Sequence, residues 1–278
     1  KTSVQEVPPA PSVSWNFLRM SNDSTAKTII VALLLCLVCS VIVSTAAVAL
    51  KPIQLKNKSL DKKRNILQVA GLYQEGKSIE SLFQQVEAKV VDLASGEYAT
   101  DVQPGTYDQR KAAKDPMQNV VIPVKEDIAH IKQRAKNATV YLVKEQETIR
   151  YFILPVHGYG LWSTLYGFVV LEKDANTIYG LQFYEHAETP GLGGEVDNPS
   201  WRAKWPGKLV YASSGIPNIE VVRGAVDTSR PEAIYQVDGL AGATLTSRGV
   251  SDLLRYWLSD QGFGPYLQKA RSRLGESL

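Results

Sequence analysis

The sequence predicts an α+β protein in which one N-terminal transmembrane helix precedes an extramembrane domain with an antiparallel sheet flanked by helices. Three observations support this fold class: an uncharged apolar run, short strand-like apolar segments in the second half, and a helical apolar pattern near Thr244. The chain has 278 residues, 44% hydrophobic and 21% charged, an ordinary globular composition. We divide it into a tail, a transmembrane helix, a helical and loop segment and a larger C-terminal domain, at residues 1–27, 28–50, 51–137 and 138–278.

The uncharged run at residues 28–50 is bounded by Lys27 and Lys51. About 20 apolar residues are needed to span a bilayer, and this run is slightly longer. A cleavable signal peptide is the alternative, because Ala47-Val48-Ala49 is typical of a cleavage site. The run is too long for a signal core, so we expect a retained transmembrane helix. More basic residues follow the run than precede it, which alone would place the C-terminal domain in the cytoplasm.

Several functional classes are excluded or disfavoured by simple counts and spacings. The net charge of +3 and the lack of a long basic run exclude a nucleic-acid partner. Cys36 and Cys39 form a C-x-x-C, but inside an apolar run we expect small buried hydrophobes rather than a redox or metal pair. His157 and His186 lack ligand-type spacing, so we expect no metal. The sequence also lacks a Walker loop, a nucleophile elbow and a Gly-x-Gly-x-x-Gly after a strand.

The predicted elements follow the hydrophobic period along the chain. Two amphipathic helices are expected at 61–73 and 79–93, followed by a loop region at 95–125. From residue 138 the period changes to that of strands. The strands are expected at 140–143, 150–154, 165–171 and 177–184, with weaker candidates at 210–211 and 219–222.

The stretch from Asp238 to Thr246 is the strongest candidate for a binding site. Ala241-Gly242-Ala243 leaves the backbone bare, and an apolar run that includes Leu245 then reads as a helix, with Thr244 or Thr246 at its N-terminal end. Free backbone N–H groups and the helix dipole make such an end a good site for a phosphate. An ordinary helix N-cap explains the same residues without any ligand.

Two further stretches contain residues that suit a planar ligand. In 155–162, glycines around a strand end let the backbone approach a ligand, and Tyr159 and Trp162 offer flat faces. In 186–195, Pro and Gly mark a shaped loop. That loop presents two hydrogen-bonding residues and one apolar residue, Glu188, Thr189 and Leu192. Without a ligand, the first stretch would be a packed surface corner with core aromatics, and the second a turn with solvated charges.

The residues 238–244 resemble a flavinylation signature, Asp-Gly-x-(Ser/Thr)-Gly-Ala-(Thr/Ser), in which the last hydroxyl carries FMN through a phosphoester bond. Only Ala241 departs from this pattern, and the departure removes one hydroxyl near the acceptor, Thr244. One membrane helix, the 158–162 stretch, the 188–193 loop and this motif occur in an order that resembles the NqrC family of the bacterial sodium-translocating NADH:quinone oxidoreductase. The long segment at 51–150 favours this family over the related FMN-binding family of the Rnf complex.

The resemblance implies a covalent-FMN electron carrier in a membrane complex that couples NADH oxidation and ubiquinone reduction to Na⁺ translocation. It implies FMN on Thr244, attached by a separate flavin transferase, and a domain on the periplasmic side of the bacterial inner membrane, contrary to the lysine count. Partners are the other subunits, the transferase and membrane lipid. An Rnf-type carrier and a non-redox adaptor remain alternatives. The remaining expected FMN contacts are the motif and phosphate residues Asp238, Gly242, Ala243 and Thr246, and the ring and ribityl residues Trp162, Glu188, Thr189 and Leu192.

Overall fold

The computed structural model describes residues 24–146 and 148–275, so most of the predicted tail lies outside the described residues. The helices and strands alternate irregularly along the chain, and two 3-10 turns lie at Gly193–Asp197 and Pro231–Tyr235. The elements are α1 (Thr25–Val69), α2 (Ile79–Phe83), β1 (Val86–Asp92), α3 (Gln109–Ala112), β2 (Asn119–Val121), β3 (Gln133–Ala135), β4 (Asn137–Glu145), β5 (Thr148–Tyr159), β6 (Thr164–Glu172), β7 (Ile178–Glu185), α4 (Pro199–Arg202), β8 (Glu220–Val221), β9 (Gln236–Val237), α5 (Thr244–Leu258) and α6 (Gly264–Gly275).

Helix α1 contains both the predicted transmembrane span and most of the first predicted amphipathic helix. It is long and apolar enough to cross a membrane. The described residues form two compact units, which divide between Lys58 and Ser59. Cys36 and Cys39 are exposed in this single chain, so the expectation that they are buried is wrong for the chain by itself. The helix residues around them are exposed as well, and no protein core surrounds the pair within the described residues.

A five-stranded antiparallel sheet forms the centre of the second unit, in the order β1-β4-β5-β6-β7. The four strands predicted between residues 140 and 184 correspond to β4, β5, β6 and β7. Of the two weaker candidates, 219–222 contains β8, whereas Tyr211 forms only an isolated bridge. The sequence therefore predicts the central strands well, because each contains a short, nearly continuous apolar run rich in β-branched and aromatic residues, as expected for a sheet buried on both faces.

Strand β1 corrects one prediction. The predicted helix 79–93 is only one short helix, α2, and the chain then enters β1 at the edge of the sheet. Val86 pairs with Val143 and Asp92 pairs with Asn137 in the antiparallel register with β4. The apolar residues at helical spacing are also compatible with a strand, and the β-branched valines favour the strand once β4 is available. The division at 137/138 stays a prediction, and the sheet pairs across it.

The two faces of the sheet bury different elements. One face packs under α5 and α6, in a core with the fully buried Trp205, Trp257 and Phe263. The other face packs against the end of α1, where Ile66 and Leu67 are fully buried. Burial of large apolar side chains on both faces supplies the main driving force for this arrangement. It also fixes α5 against the central strand β5.

Candidate functional site

Helix α5 runs along β5 with a fixed register. The indole N–H of Trp257 donates to the carbonyl of His157 at 2.6 Å. Leu253, one helical turn before Trp257, lies against Gly158 of β5. A Cβ placed on Gly158 would lie 2.5 Å from the Cβ of Leu253. A Cβ on Gly249 would overlap the carbonyl oxygen of Tyr159. These contacts bring the first turn of α5 to the end of β5, where the β5–β6 turn begins.

The first turn of α5 carries unused hydrogen-bond donors. Ala243 is the N-cap and has no side chain to cap the helix. The first backbone bond of the helix runs from the N–H of Ser247 to the carbonyl of Ala243, at 3.0 Å. Within residues 24–146 and 148–275, the backbone N–H groups of Thr244, Leu245 and Thr246 have no acceptor. Together with the helix dipole, these three donors favour a bound anion.

Thr244 is exposed at the start of this turn. In the part of the chain that the structure describes, its hydroxyl makes no hydrogen bond to another residue. The preceding Ala243 is buried, and Gly242 adopts a left-handed conformation with φ of +69°. A Cβ on Gly242 would lie 2.9 Å from Cδ2 of Leu192. A side chain at Gly242 would therefore be strained by the backbone and would displace Leu192.

Asp238 holds the loop that leads into α5. Its carboxylate accepts a hydrogen bond from the N–H of Val226 at 2.8 Å and pairs with the ammonium group of Lys204. The hydrogen bond from Lys204, followed by that from Val226, lowers the pKa of Asp238 below its usual value. The carbonyl of Asp238 accepts from the indole N–H of Trp201 at 2.8 Å. Asp238 thus fixes the start of the bare loop within the protein.

Glu188 is the centre of the site, and it is only 5% exposed. Oε1 accepts hydrogen bonds from the N–H of Trp162 at 2.9 Å and from the N–H of Ser163 at 3.1 Å. The N–H of Leu161 lies 3.1 Å from Oε1 and 3.3 Å from Oε2. Oε2 also accepts from the hydroxyl of Thr246 at 2.7 Å. Glu188 therefore joins the β5–β6 turn, its own loop and the first turn of α5.

Two opposing effects act on the ionisation of Glu188. Burial would raise its pKa, because a buried carboxylate loses hydration. The hydrogen bonds from Thr246 and from the backbone of residues 161–163 outweigh burial and lower the pKa below the usual 4.5. The carboxylate is thus ionised at neutral pH. Its negative charge is the natural partner of the converging donors.

Exposed apolar side chains lie on the elements that meet at this point. Trp162 is 66% exposed, Leu245 54% and Leu192 44%. Tyr159 and Leu161 are also exposed, and the hydroxyl of Tyr159 donates to the carbonyl of Trp162 at 3.3 Å. Large apolar groups on the surface of a folded domain often mark a binding site. Leu245 belongs to the apolar run that predicts α5, but its side chain is exposed, whereas Val250, Leu253 and Leu254 of the same run are fully buried.

The structure gives each remaining candidate a definite place. Thr189 is exposed, and its carbonyl accepts from the N–H groups of Leu192 and Gly194. Thr246 is fully buried, and its hydroxyl is directed to Glu188. His157 stacks on Tyr166, with ring centres 5.3 Å apart. His186 accepts from the N–H of Glu188 and pairs with Asp197 at 2.8 Å, and within the described residues no group of metal-ligating side chains includes these histidines.

Sequence reasoning missed several residues of the site. Leu161 and Ser163 escaped notice because their contribution is through backbone N–H groups, which any residue provides. The sequence predicts that Gly160 lets the backbone approach a ligand and that Gly193 belongs to a shaped loop, but it does not predict that both glycines make room for Glu188. A Cβ on Gly160 would lie 2.7 Å from Oε1 of Glu188, and a Cβ on Gly193 would lie 2.7 Å from Oε2. The signal that the sequence offers for this contact is the position of Glu188 in one of two glycine-rich stretches.

Comparisons with known proteins identify the family to which the chain belongs. A family model described as FMN-binding domain matches residues 160–259, which contain the β5–β6 turn, Glu188 and all of α5. The NqrC protein of the Na(+)-translocating NADH-quinone reductase of Pseudomonas aeruginosa is 52% identical over 92% of this chain and 99% of its own length. The chain belongs to this NqrC family. The corresponding protein of Vibrio vulnificus strain YJ016 is 50% identical over 90% of this chain and 97% of its own length.

Solved structures of the NqrC family have the same fold. The crystal structure of Shewanella oneidensis NqrC is 33% identical, with a TM-score of 0.70, and the match covers 78% of this chain and 99% of that chain. The NqrC structure from Parabacteroides distasonis is 27% identical, with a TM-score of 0.61 and coverage of 78% and 96%. Both matches and the curated relatives support the sodium-translocating enzyme over the Rnf-type carrier and the adaptor.

Proposed function

We propose that this chain is the FMN-carrying electron-transfer subunit of a Na⁺-translocating NADH:quinone oxidoreductase, with FMN bound covalently to Thr244. Membership of the NqrC family and the match to the FMN-binding domain support FMN as the cofactor and the complex as the setting. NADH oxidation and quinone reduction belong to the assembled enzyme. The chain itself relays electrons.

The exposed hydroxyl of Thr244 at the unpaired N-terminus of α5 is the observation that carries the covalent attachment. The hydroxyl has no acceptor within the described residues and is accessible to another protein. The three free N–H groups beside it suit the phosphate of FMN. Gly242 keeps the approach open because it has no side chain, and the buried Ala243 places Thr244 at the surface.

The surroundings of Thr244 suit the rest of the cofactor. We assign Trp162 and Leu192 to contacts with the isoalloxazine ring, because both are exposed apolar groups on elements that meet α5. Leu245 joins them on the helix itself. Thr189 is exposed and suits a contact with the ribityl chain. Asp238 contributes by holding the loop.

FMN supplies reversible electron acceptance and donation, and the protein supplies attachment, orientation and the local electrostatic environment. Attachment by a flavin transferase forms a bond between Oγ of Thr244 and the phosphorus of the FMN moiety of FAD. The bond between the two phosphates of FAD breaks, AMP leaves, and the threonine proton is transferred to the released phosphate. The phosphoester leaves the ring system unmodified and prevents loss of the carrier.

We also propose that α1 anchors the chain in the bacterial inner membrane, in contact with lipid, and that the flavin domain lies on the periplasmic side. The length and apolar composition of the helix support the anchor. Other subunits of the complex donate electrons to the flavin and accept them from it. The periplasmic assignment follows the family resemblance, against the excess of basic residues after the helix.

The test of the attachment is the intact mass of the full chain, expressed with a flavin transferase, followed by peptide mapping around Thr244. We expect a gain equal to one FMN less one water on the peptide that contains Thr244. Thr244→Ala abolishes the gain, and the matched variant Thr244→Ser retains it because serine keeps the hydroxyl. Covalent flavin retained in Thr244→Ala would refute the attachment site, whereas FMN bound without covalent linkage would refute only the phosphoester.

A further inference from the structure

We infer that Glu188 is a positioning residue, which docks the β5–β6 turn onto the first turn of α5 and thereby sets the place of Trp162 beside the flavin tether. The inference rests on the proposed function only in placing Trp162 beside a flavin. The docking is a property of the polypeptide and can be tested without any cofactor. It replaces the expectation that the Glu188 carboxylate binds the ring or the ribityl chain.

The carboxylate of Glu188 is already occupied. Its two oxygens receive five donor groups, which are the three N–H groups of residues 161–163 and the hydroxyls of Ser163 and Thr246. A carboxylate has about four lone-pair positions, so the side chain has little capacity left for a ligand. Its burial points to the same conclusion, since only 5% of the residue is exposed.

The successive N–H groups of Leu161, Trp162 and Ser163 converge on one point. Such a row of backbone donors forms a concave anion-binding site, which commonly holds a phosphate. Here an acidic side chain of the same chain occupies it. Trp162 is the middle residue of the row, and its own N–H makes the shortest of the three bonds, 2.9 Å. The backbone of Trp162 is thus fixed while the residue remains 66% exposed.

The surrounding residues are adapted to this carboxylate. Gly160 and Gly193 provide its space, because a Cβ at either position would lie 2.7 Å from one of its oxygens. The hydroxyl of Ser163 accepts a hydrogen bond from the N–H of Ala187 at 2.8 Å, which ties the turn to the loop a second time. Thr246, fully buried in the first turn of α5, connects the same carboxylate to the helix. Three separate segments therefore share one charged acceptor.

The test measures hydrogen exchange of the amides of residues 161–163 in the full chain in detergent, expressed without flavin transferase. Glu188→Ala removes the acceptor, and we expect exchange of these amides to accelerate roughly tenfold or more, the factor that corresponds to about 1.4 kcal/mol. Glu188→Gln keeps an acceptor of the same shape but removes the charge. We expect a smaller acceleration, because bonds to a charged acceptor are about twice as strong as neutral ones. Glu145→Ala, at the far end of the sheet, is the control and leaves these amides unchanged.

The same variants are then expressed with the transferase. If Trp162 is positioned beside the flavin, Glu188→Ala weakens the visible circular dichroism of the attached flavin, and Glu145→Ala does not. Wild-type exchange of residues 161–163 in Glu188→Ala overturns the inference. If Glu188→Ala fails to fold, Glu188→Gln decides: local acceleration supports the inference and wild-type exchange overturns it. A wild-type chain without attached flavin would refute the proposed attachment but leave the exchange result valid.

Discussion

Replacement of Thr246 by valine tests the energetic weight of the contact between α5 and the 186–195 loop. Thr246 is fully buried, and its hydroxyl donates to the carboxylate of Glu188 at 2.7 Å. Valine has nearly the same shape, so the substitution creates no large cavity. It removes one hydrogen bond to a buried charged group.

The expected loss of stability follows from the charge of the Glu188 carboxylate and from the burial of its contact with Thr246. A hydrogen bond to a charged group contributes about 1.5–3 kcal/mol, and a buried acceptor cannot replace the lost donor with water. For a domain of this size, each kcal/mol lowers Tm by about 2–4 °C. We therefore expect Thr246→Val to lower Tm by about 3–12 °C.

The matched control is Thr177→Val. The hydroxyl of Thr177 also donates to a carboxylate, that of Asp174, but this pair is exposed. Water can solvate both groups after the substitution, so we expect a loss of only about 0.5 kcal/mol. Thermal and urea unfolding of the full chain in detergent, followed by far-UV circular dichroism, measures both. Equal destabilisation by the two variants would refute the argument that burial makes the Glu188 contact strong.

The pH dependence of the free energy of unfolding gives a second check of the contact between Thr246 and Glu188. The folded state lowers the pKa of Glu188, because the hydrogen bonds from Thr246 and residues 161–163 outweigh burial. A lowered pKa gives a stabilisation that is complete above the usual value of 4.5 and is lost as the pH falls through the lower folded value. The difference between wild type and Thr246→Val should thus be largest near neutral pH and should shrink in acid.

Two further substitutions have expected outcomes. Burial, and then the positive charge of Arg110, lower the pKa of His157 from 6.5 to about 4, so the unfolded chain binds a proton that the folded chain does not between these values. The stability should fall as the pH falls from about 6.5 to about 4, and His157→Phe should flatten this part of a urea-unfolding series. Gly242→Ala should destabilise the chain by about 1–2 kcal/mol through its positive φ and should reduce flavin attachment measured by intact mass. The control is Gly207→Ala, because Gly207 also has a positive φ but its Cβ would have no neighbour within 4 Å. This variant should be destabilised yet attach flavin normally. Equal attachment in both variants would contradict the role of Gly242.

The sequence predicted the elements whose pattern is local. The short apolar run of each strand from β4 to β7 is visible within the segment itself, and the start of α5 follows from the small residues before Thr244. Strand β1 was mistaken for a helix because Val86 and Val90 satisfy both periods. Its assignment depends on pairing with β4, about fifty residues later in the chain. Local sequence does not contain that information.

The candidate site shows the same division. Thr244 is predicted from the spacing of its motif, and it is exposed, as the proposed attachment requires. The role of Glu188 was not identifiable, because its partners lie 25 to 58 positions away and most of them are backbone groups. The exposure of Leu245 was not identifiable either, because helical periodicity marks an apolar face but does not show whether the first turn is covered.

Two sets of backbone donors lie close together at this end of the sheet, and they differ in whether the protein itself supplies an acceptor. One set, the N–H groups of residues 161–163, is filled by the internal carboxylate of Glu188. The other set, at the first turn of α5, has no acceptor within the described residues. An external phosphate would otherwise have two competing places to bind. Because the protein supplies its own anion to the first set, the second set is free for the phosphate of the proposed attachment at the hydroxyl of Thr244.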